Sequence, residues 1–355
     1  MINPTKALEN AIEFARDHEV GWSRDTSGVW GVHQDDPPPW NKLFGPVHAR
    51  GGVSGAIAQA GVTIASFGEP DRADLTFSVA KAYLALLAGV AYDQGLLKPD
   101  QPITEILPGI GFDDEHNRPI TWKHLLQQTS EWQGSCFDIP DQVDHYRSLA
   151  FAPVTNGKKG SKRELNTPGT FWEYNDVRIN QLSLALLHLF KQPLPEVFKQ
   201  HIAKPCGLSN NWQWVGYDHA WVQIDGQKMQ SVPGGSHWGG GVSISAHDQL
   251  KLTQMLLQDG VANGQQVLSQ DWITQMRTPC PLAPFYGYLV WLNDKQRIFK
   301  SLSPQAYFGM GAGGHFSLVE PTLDLVVIVR WLDSSQADEF FARVVQALTD
   351  RESVI

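Results

Sequence analysis

Ser78 and Lys81 stand three residues apart in "TFSVAKAYLALLAGVAYDQG" (76–95), at the mouth of a long apolar run. On a helix, side chains at i and i+3 share one face, so this hydroxyl and this amine can touch. A serine in a first helical turn also sits among unpaired backbone N–H groups and the positive end of the helix dipole, which favour a developing oxyanion. Nucleophilic acyl chemistry follows if the lysine takes or holds the serine proton. The plainer reading is an N-capping serine with a lysine reaching out to water. Two features favour chemistry: this is the only Ser-x-x-Lys in the chain, and the run after Lys81 offers no polar face on which a lysine would be solvated. An amine in that setting is expected to lose solvation and titrate low, as a proton acceptor must.

The elements that would position this pair can be read along the chain. "SGAIAQAGVTIASFG" (54–68) shows two short β-type runs around the "QAG" turn and predicts a hairpin. Phe77 to Ala91 is apolar nearly all round, which marks a buried, central helix stopped at "DQGL". From about 100 to 235, "TWKHLLQQT", "DVRINQLSLALLHLF" and "LPEVFKQHI" are helical candidates between polar, Pro-containing loops. Among these loops the basic "NGKKGSKREL" (156–165) reads as mobile. The Gly-rich "PGGSHWGGGVSI" leads into the helix "AHDQLKLTQMLLQDG", and "SQDWITQMR" follows. Strand patterns return in "YGYLVWLN", "AYFGMGAGGHFSLVEP" and "LDLVVIVRWL" before a closing helix, "QADEFFARVVQALTDR". Strands at both ends around a helical middle predict an α+β fold: an antiparallel sheet flanked by helices, with an inserted helical domain. The expected division is a discontinuous α/β sandwich of 1–100 and 236–355, with a mainly helical insertion at 101–235.

Four segments carry a family resemblance. "TFSVAK" resembles the nucleophile motif of the penicillin-recognising serine hydrolases, and "ITWKHLLQQTSEW" (120–132) their "T-x-x-x-L-L-x-H-T-S-G" segment. "PGTFWEYND" (168–176) is similar to the segment holding their second-motif tyrosine, and "FGMGAGGHFSLVEPTLDLVVIV" (308–329) to the strand of their third motif. The resemblance runs from Arg50 to about Trp331 and is strongest to the class C β-lactamase, esterase and 6-aminohexanoate-dimer hydrolase branch. It implies a β-lactamase/transpeptidase-like fold and a cofactor-free serine hydrolase. By that likeness Ser78 would be acylated, Lys81 would accept its proton or hold it for Tyr174, and Tyr174 would act as general base and activate water for deacylation. The oxyanion hole would be the backbone N–H groups of Ser78 and His315.

Two departures bear on substrate. The Tyr-x-Asn motif reads Tyr174-Asn175-Asp176, so a carboxylate replaces a neutral amide; facing Lys81, Asp176 would raise the lysine's pKa and favour Tyr174 as base. The third motif aligns with Ala312-Gly313-Gly314, and no cation stands at Ala312 to hold a substrate carboxylate. His315 would either stand in for that cation or be a strand histidine bonded to a neighbouring loop. Asn175, Asp176, Trp132, Trp172, His237 and Trp238 are the remaining pocket candidates, with core packing as the plainer reading for the tryptophans. His124 and Asp248 read as structural, the latter as a helix cap.

The expected substrate is a small carboxylic ester or linear amide. β-Lactam or D-amino-acid peptide hydrolysis is the alternative within catalysis, and a non-catalytic ligand sensor the alternative outside it. Other classes fare worse. Gly309-Met-Gly-Ala-Gly-Gly314 fits the dinucleotide pattern but runs into strand-like sequence instead of a helix. "GVSGA" (52–56) likewise enters β-type sequence, which fails the α/β-hydrolase elbow. The 12 histidines show no tight ligand spacing, so no metal is expected. A net charge of -9 without a basic run argues against nucleic acid and anionic membranes as partners. The three cysteines fit free thiols. The acidic first helix lacks signal-peptide character, so a cytoplasmic location is expected.

Overall fold

The computed structural model describes residues 5–28, 30–149, 152 and 156–352, with side chains to 349. The chain opens with helix α1 (Lys6–Asp17), capped by Thr5, whose hydroxyl accepts the Leu8 N–H. Strands β1 (Ser54–Gln59) and β2 (Val62–Phe67) form the expected hairpin, and Ala60 and Gly61 take positive φ at its tip. After β3 (Asp74–Leu75) a 3₁₀ turn (Phe77–Val79) leads into α2 (Ala80–Asp93), which is buried on every side from Ala80 to Ala91. Each fully buried Leu or Val of α2 contributes about 1.5–3 kcal/mol to stability.

The middle of the chain holds α3 (Trp122–Leu126), the short hairpin β4 (Ser135–Cys136) and β5 (Ile139–Pro140), α4 (Asp176–Phe190) and α5 (Leu194–Phe198). These helices fall where the apolar periodicity put them. The region also carries strand β6 (Trp212–Val215) and the hairpin β7 (Trp221–Ile224) and β8 (Gln227–Gln230), which the mainly helical expectation omitted. Next come β9 (Gly241–Ile244), α6 (Ala246–Leu257), the small hairpin β10 (Val261–Ala262) and β11 (Gln265–Gln266), and α7 (Gln270–Met276). The last third supplies β12 (Trp291–Leu292), β13 (Tyr307–Gly311), β14 (His315–Glu320), β15 (Leu325–Arg330) and α8 (Ala337–Glu352). "YGYLVWLN" is strand only at Trp291–Leu292, because Leu289 turns the chain at φ 57 and Gly287 N–H closes on Val290 O.

One antiparallel sheet, ordered β12-β13-β14-β15-β1-β2, joins the two ends of the chain. Its period-2 alternation decides which residues meet which helix. Ala56, Ala58, Val326 and Ile328 pack with Ala246 and Leu250 of α6. On the opposite face, Phe67 and Phe316 meet Phe340 and Phe341 of α8. A second sheet, β3-β9-β6, pairs Asp74 with Ile244 and Leu75 with Ser243, so β9 delivers the chain to the turn that holds Ser78. Thr76 completes the anchoring by donating from both N–H and hydroxyl to Val242 O.

Candidate active site

Ser78 sits on a turn that the backbone alone would not favour. Phe77 adopts φ 49, a left-handed conformation that costs a non-glycine residue about 1–3 kcal/mol and persists only where packing dictates it. Here the Phe77 ring is boxed by Trp22, Trp30, His315 and Trp331, with centroids 5.4 to 6.1 Å away. The turn is further pinned by β13: a β-carbon on Gly311 would lie 2.3 Å from Thr76 O, so only glycine lets the strand come this close.

One turn later, Lys81 Nζ lies 2.8 Å from Ser78 Oγ. The same ammonium donates to Asp176 Oδ1 at the start of α4. Burial works against charge on Lys81, but Asp176 outweighs it and holds the lysine above its ordinary pKa. The low-titrating amine expected from an apolar helix is therefore overturned: the carboxylate that replaced the amide at position 176 keeps Lys81 an ammonium. Asp176 is in turn held well below the usual carboxylate range; burial opposes this, and Lys81, Arg147 and His237 overcome it.

Tyr174 joins by its ring faces. Lys81 Nζ lies 4.7 Å and the Arg147 guanidinium 5.1 Å from the ring centroid, and the ring stacks on Trp291 at 5.2 Å. No hydrogen bond links its hydroxyl to another described residue. Its chain segment is fixed by Gln128, whose backbone O accepts Glu173 N–H and whose side-chain O accepts Asn175 N–H.

Behind the site lies a buried ionic scaffold. Arg178 reaches Asp141, Glu131 and Glu173, and Arg163 bridges Glu131 and Glu173. Burial disfavours the Glu131 carboxylate, yet Arg163, Arg178 and the Asn166 N–H lower its pKa from 4.5 to about 2. A depressed carboxylate stabilises the fold above its unfolded pKa, and that stability is lost as pH falls through the folded value. Glu131→Gln is therefore expected to cost about 3 kcal/mol at pH 7 and much less near pH 2, read from urea melts at both pH values.

The remaining sequence candidates divide clearly. His237 is at the site: Nδ1 lies 2.8 Å from Asp176 Oδ2. Trp238 is buried, stacks on His237 at 4.0 Å, and donates to Asp36. Trp172 is half-buried and lines a cavity of about 250 Å³ beside Tyr174 and Arg147. Trp132 is core, packed edge-on to Phe112 at 5.0 Å. Asn175 is not free for a ligand, because its side chain caps α4 through Val177 N–H and donates to Asp141 O. Ala312-Gly313-Gly314 form the β13–β14 turn, and β-carbons on the two glycines would meet Trp331, Trp22 and Leu332; the strand residues against the Ser78 turn are Gly309 and Gly311.

The cation role considered for His315 fails. Its ring is fully buried against Trp331, neither nitrogen has a partner among the described residues, and burial plus Arg330 and Arg50 hold it well below an ordinary histidine pKa. The 156–165 loop is anchored: Lys159 bonds to Asp36, and Arg163 joins the scaffold. Ser245, not Asp248, caps α6, while Asp248 holds Ser209. His124 forms a capping box with Thr121.

Sequence reading missed Arg147, Asp144, Asp36, Lys159 and Gly235. A β-carbon on Gly235 would lie 3.0 Å from Lys81 Nζ and 3.4 Å from Ser78 Oγ. Its signal was the Gly-rich passage; the charged residues had none, being far from Ser78 in sequence.

Comparison with known proteins places the chain in a family. The Beta-lactamase family profile matches residues 40–345, and the chain belongs to that family. It is 25% identical over 214 residues to a 6-aminohexanoate-dimer hydrolase of Paenarthrobacter ureafaciens, covering 58% of this chain and 50% of that one. The chain spans about half the length of the curated relatives it matches. Among solved structures, EstCE1, described as a hydrolase with promiscuous acyltransferase activity, superposes with TM-score 0.62 at 16% identity over 97% of this chain and 98% of its own. A D-stereospecific amidohydrolase from Streptomyces sp. gives TM-score 0.59 at 16% identity, over 94% and 97%. These likenesses define a β-lactamase/transpeptidase-like fold. Among the described residues no helix is long and apolar enough to cross a membrane.

Proposed function

We propose that this chain is a serine hydrolase that forms an acyl-enzyme at Ser78 with a small carboxylic ester or linear amide. The observation that carries the reading is Ser78 Oγ, on a strained and tightly packed turn, 2.8 Å from a buried ammonium. An ammonium has no lone pair, so Lys81 orients Ser78 and stabilises charge while Tyr174, acting in its phenolate form between Lys81 and Arg147, takes the serine proton. Ser78 Oγ then bonds to the acyl carbon. The resulting oxyanion is met by Ser78 N–H and a main-chain N–H of the hairpin that carries His315. Collapse breaks the bond to the alcohol or amine, which leaves with the proton from Tyr174. Water, deprotonated by Tyr174, attacks the acyl carbon; the bond to Ser78 Oγ breaks, Tyr174 returns the proton to Oγ, and the acid leaves.

The cavity beside Tyr174, walled by Leu149, Phe171, Trp172 and Phe285 with Arg147 at one side, suits a compact apolar acyl or leaving group. Relatives described as an amidohydrolase, a 6-aminohexanoate-dimer hydrolase and a hydrolase with acyltransferase activity support the same class.

The test is intact mass after fluorophosphonate treatment, with nitrophenol release from short-chain esters followed in parallel. Labelling with turnover is the expected result; labelling or tight binding without turnover favours the sensor reading instead, and the absence of both labelling and turnover overturns the proposal. Tyr174→Phe is expected to lower turnover by about 100-fold, and unchanged activity would exclude tyrosine as the base.

A further inference from the structure

Asp36 lies outside the residues that match the family, in the loop "DDPPPW", yet it is buried in the site. Its loop is strapped across the Gly-rich passage: Phe44 and Gly45 N–H both donate to Trp238 O, and Gly240 N–H donates to Pro46 O. Asp36 Oδ2 lies 2.8 Å from His237 Nε2 and accepts Trp238 Nε1–H at 2.8 Å. The other ring nitrogen, Nδ1, lies 2.8 Å from Asp176 Oδ2. Asp176 Oδ1 holds Lys81, and Lys81 holds Ser78. A continuous chain of polar contacts thus runs from Asp36 to the nucleophile.

We propose that Asp36 is a positioning residue for the reaction at Ser78, acting through a charged His237 ring that fixes Asp176 and thereby Lys81. This rests on the serine-hydrolase reading above. The argument is one of donors and acceptors. Both ring nitrogens face carboxylate oxygens, which accept only, at 2.8 Å; the one donor near the ring among the described residues, Arg147 Nη1, is farther from Nδ1 at 3.5 Å and bonds to the same Asp176 Oδ2. A neutral imidazole has a single N–H and would aim a lone pair at one carboxylate; only imidazolium donates both ways.

The groups facing the ring agree. Asp36, Asp144 and Asp176 are balanced by Lys81, Arg147 and Lys159, so the imidazolium adds one positive charge to the cluster that holds Lys81 against Ser78. His33, also near, is held below an ordinary histidine pKa by its burial and by His237. Burial opposes charge on His237, and Asp144, Asp176 and Asp36 outweigh it, so the ring titrates above an ordinary histidine. Asp36, Asp144 and His237 converge closely enough for a cation, but Lys159 Nζ is bonded to Asp36 and lies 3.5 Å from Asp144.

Asp36→Asn keeps the shape and an acceptor for Trp238 while removing the charge. The experiment measures kcat and KM on a nitrophenyl ester across about pH 5–10 and titrates His237 by NMR in protein labelled at the histidine ring nitrogens. In wild type, the alkaline fall of kcat is expected to follow His237 deprotonation. In Asp36→Asn both midpoints should drop by about one pH unit, with kcat down about tenfold above the wild-type midpoint and KM nearly unchanged. Asp36→Glu should recover the wild-type midpoint. An unchanged midpoint, or a uniform loss at every pH, overturns the proposal, since a merely structural lesion lowers activity without moving the titration. If Ser78 is neither labelled nor active in wild type, the hydrolase reading fails, while the NMR titration still decides whether Asp36 holds the ring charged.

Discussion

Ser78→Ala is expected to lower ester turnover by about 10⁴-fold or more and to abolish fluorophosphonate labelling. The effect is large because Ser78 Oγ lies against a buried ammonium, on a turn whose Thr76, Phe77 and Val79 pack against β13. Removing Oγ leaves the oxyanion donors and the cavity intact, so the residue of activity measures what binding and electrostatics achieve without a covalent step. The fold is expected to survive. Ser78 is only part-buried, and the turn is held by the bonds from Thr76 to Val242 of β9 and by the aromatic box around Phe77. Parallel thermal melts and nitrophenol release check both halves; full turnover in the alanine variant would remove Ser78 from the mechanism.

Lys81→Ala is expected to lower turnover by about 10³-fold and also to destabilise the protein by about 3 kcal/mol, an effect Ser78→Ala lacks. Asp176 is buried and ionised, and the lysine is one of three cations that make this tolerable. With Lys81 gone, Arg147 and His237 still meet Oδ2, but Oδ1 loses the hydrogen-bond donor that meets it among the described residues. Breaking one side of a buried pair leaves the other charge uncompensated, which costs more than the pair contributed. Urea melts of wild type and variant at pH 7 read the stability, and ester turnover reads the activity. A variant as stable as wild type would mean that Asp176 takes a proton instead.

Much of this site was legible because local rules act over a few residues. Ser78 and Lys81 meet because i and i+3 share a helix face, and α2 is central because its apolar residues leave no polar side. The β1–β2 hairpin, α4 and the strand-helix-strand order followed from periodicity and turn chemistry in the same way. Sequence alone was thus enough for the principal helices, the flanking strands, the Ser78–Lys81 contact and the family, but not for strands β6, β7 and β8.

Tertiary structure decided the charge states. Whether Lys81 is an amine or an ammonium depends on Asp176, 95 residues away, and the position of Asp176 depends on Asp144, Arg147 and His237. No period or spacing links Asp36 to His237, 201 positions apart, nor Lys159 to either. The left-handed Phe77 is likewise set by tryptophans from both ends of the chain. Propensity and spacing register what a residue does to its neighbours along the backbone. Protonation and strain are fixed by whatever is packed against a group after folding, where low dielectric magnifies every facing charge.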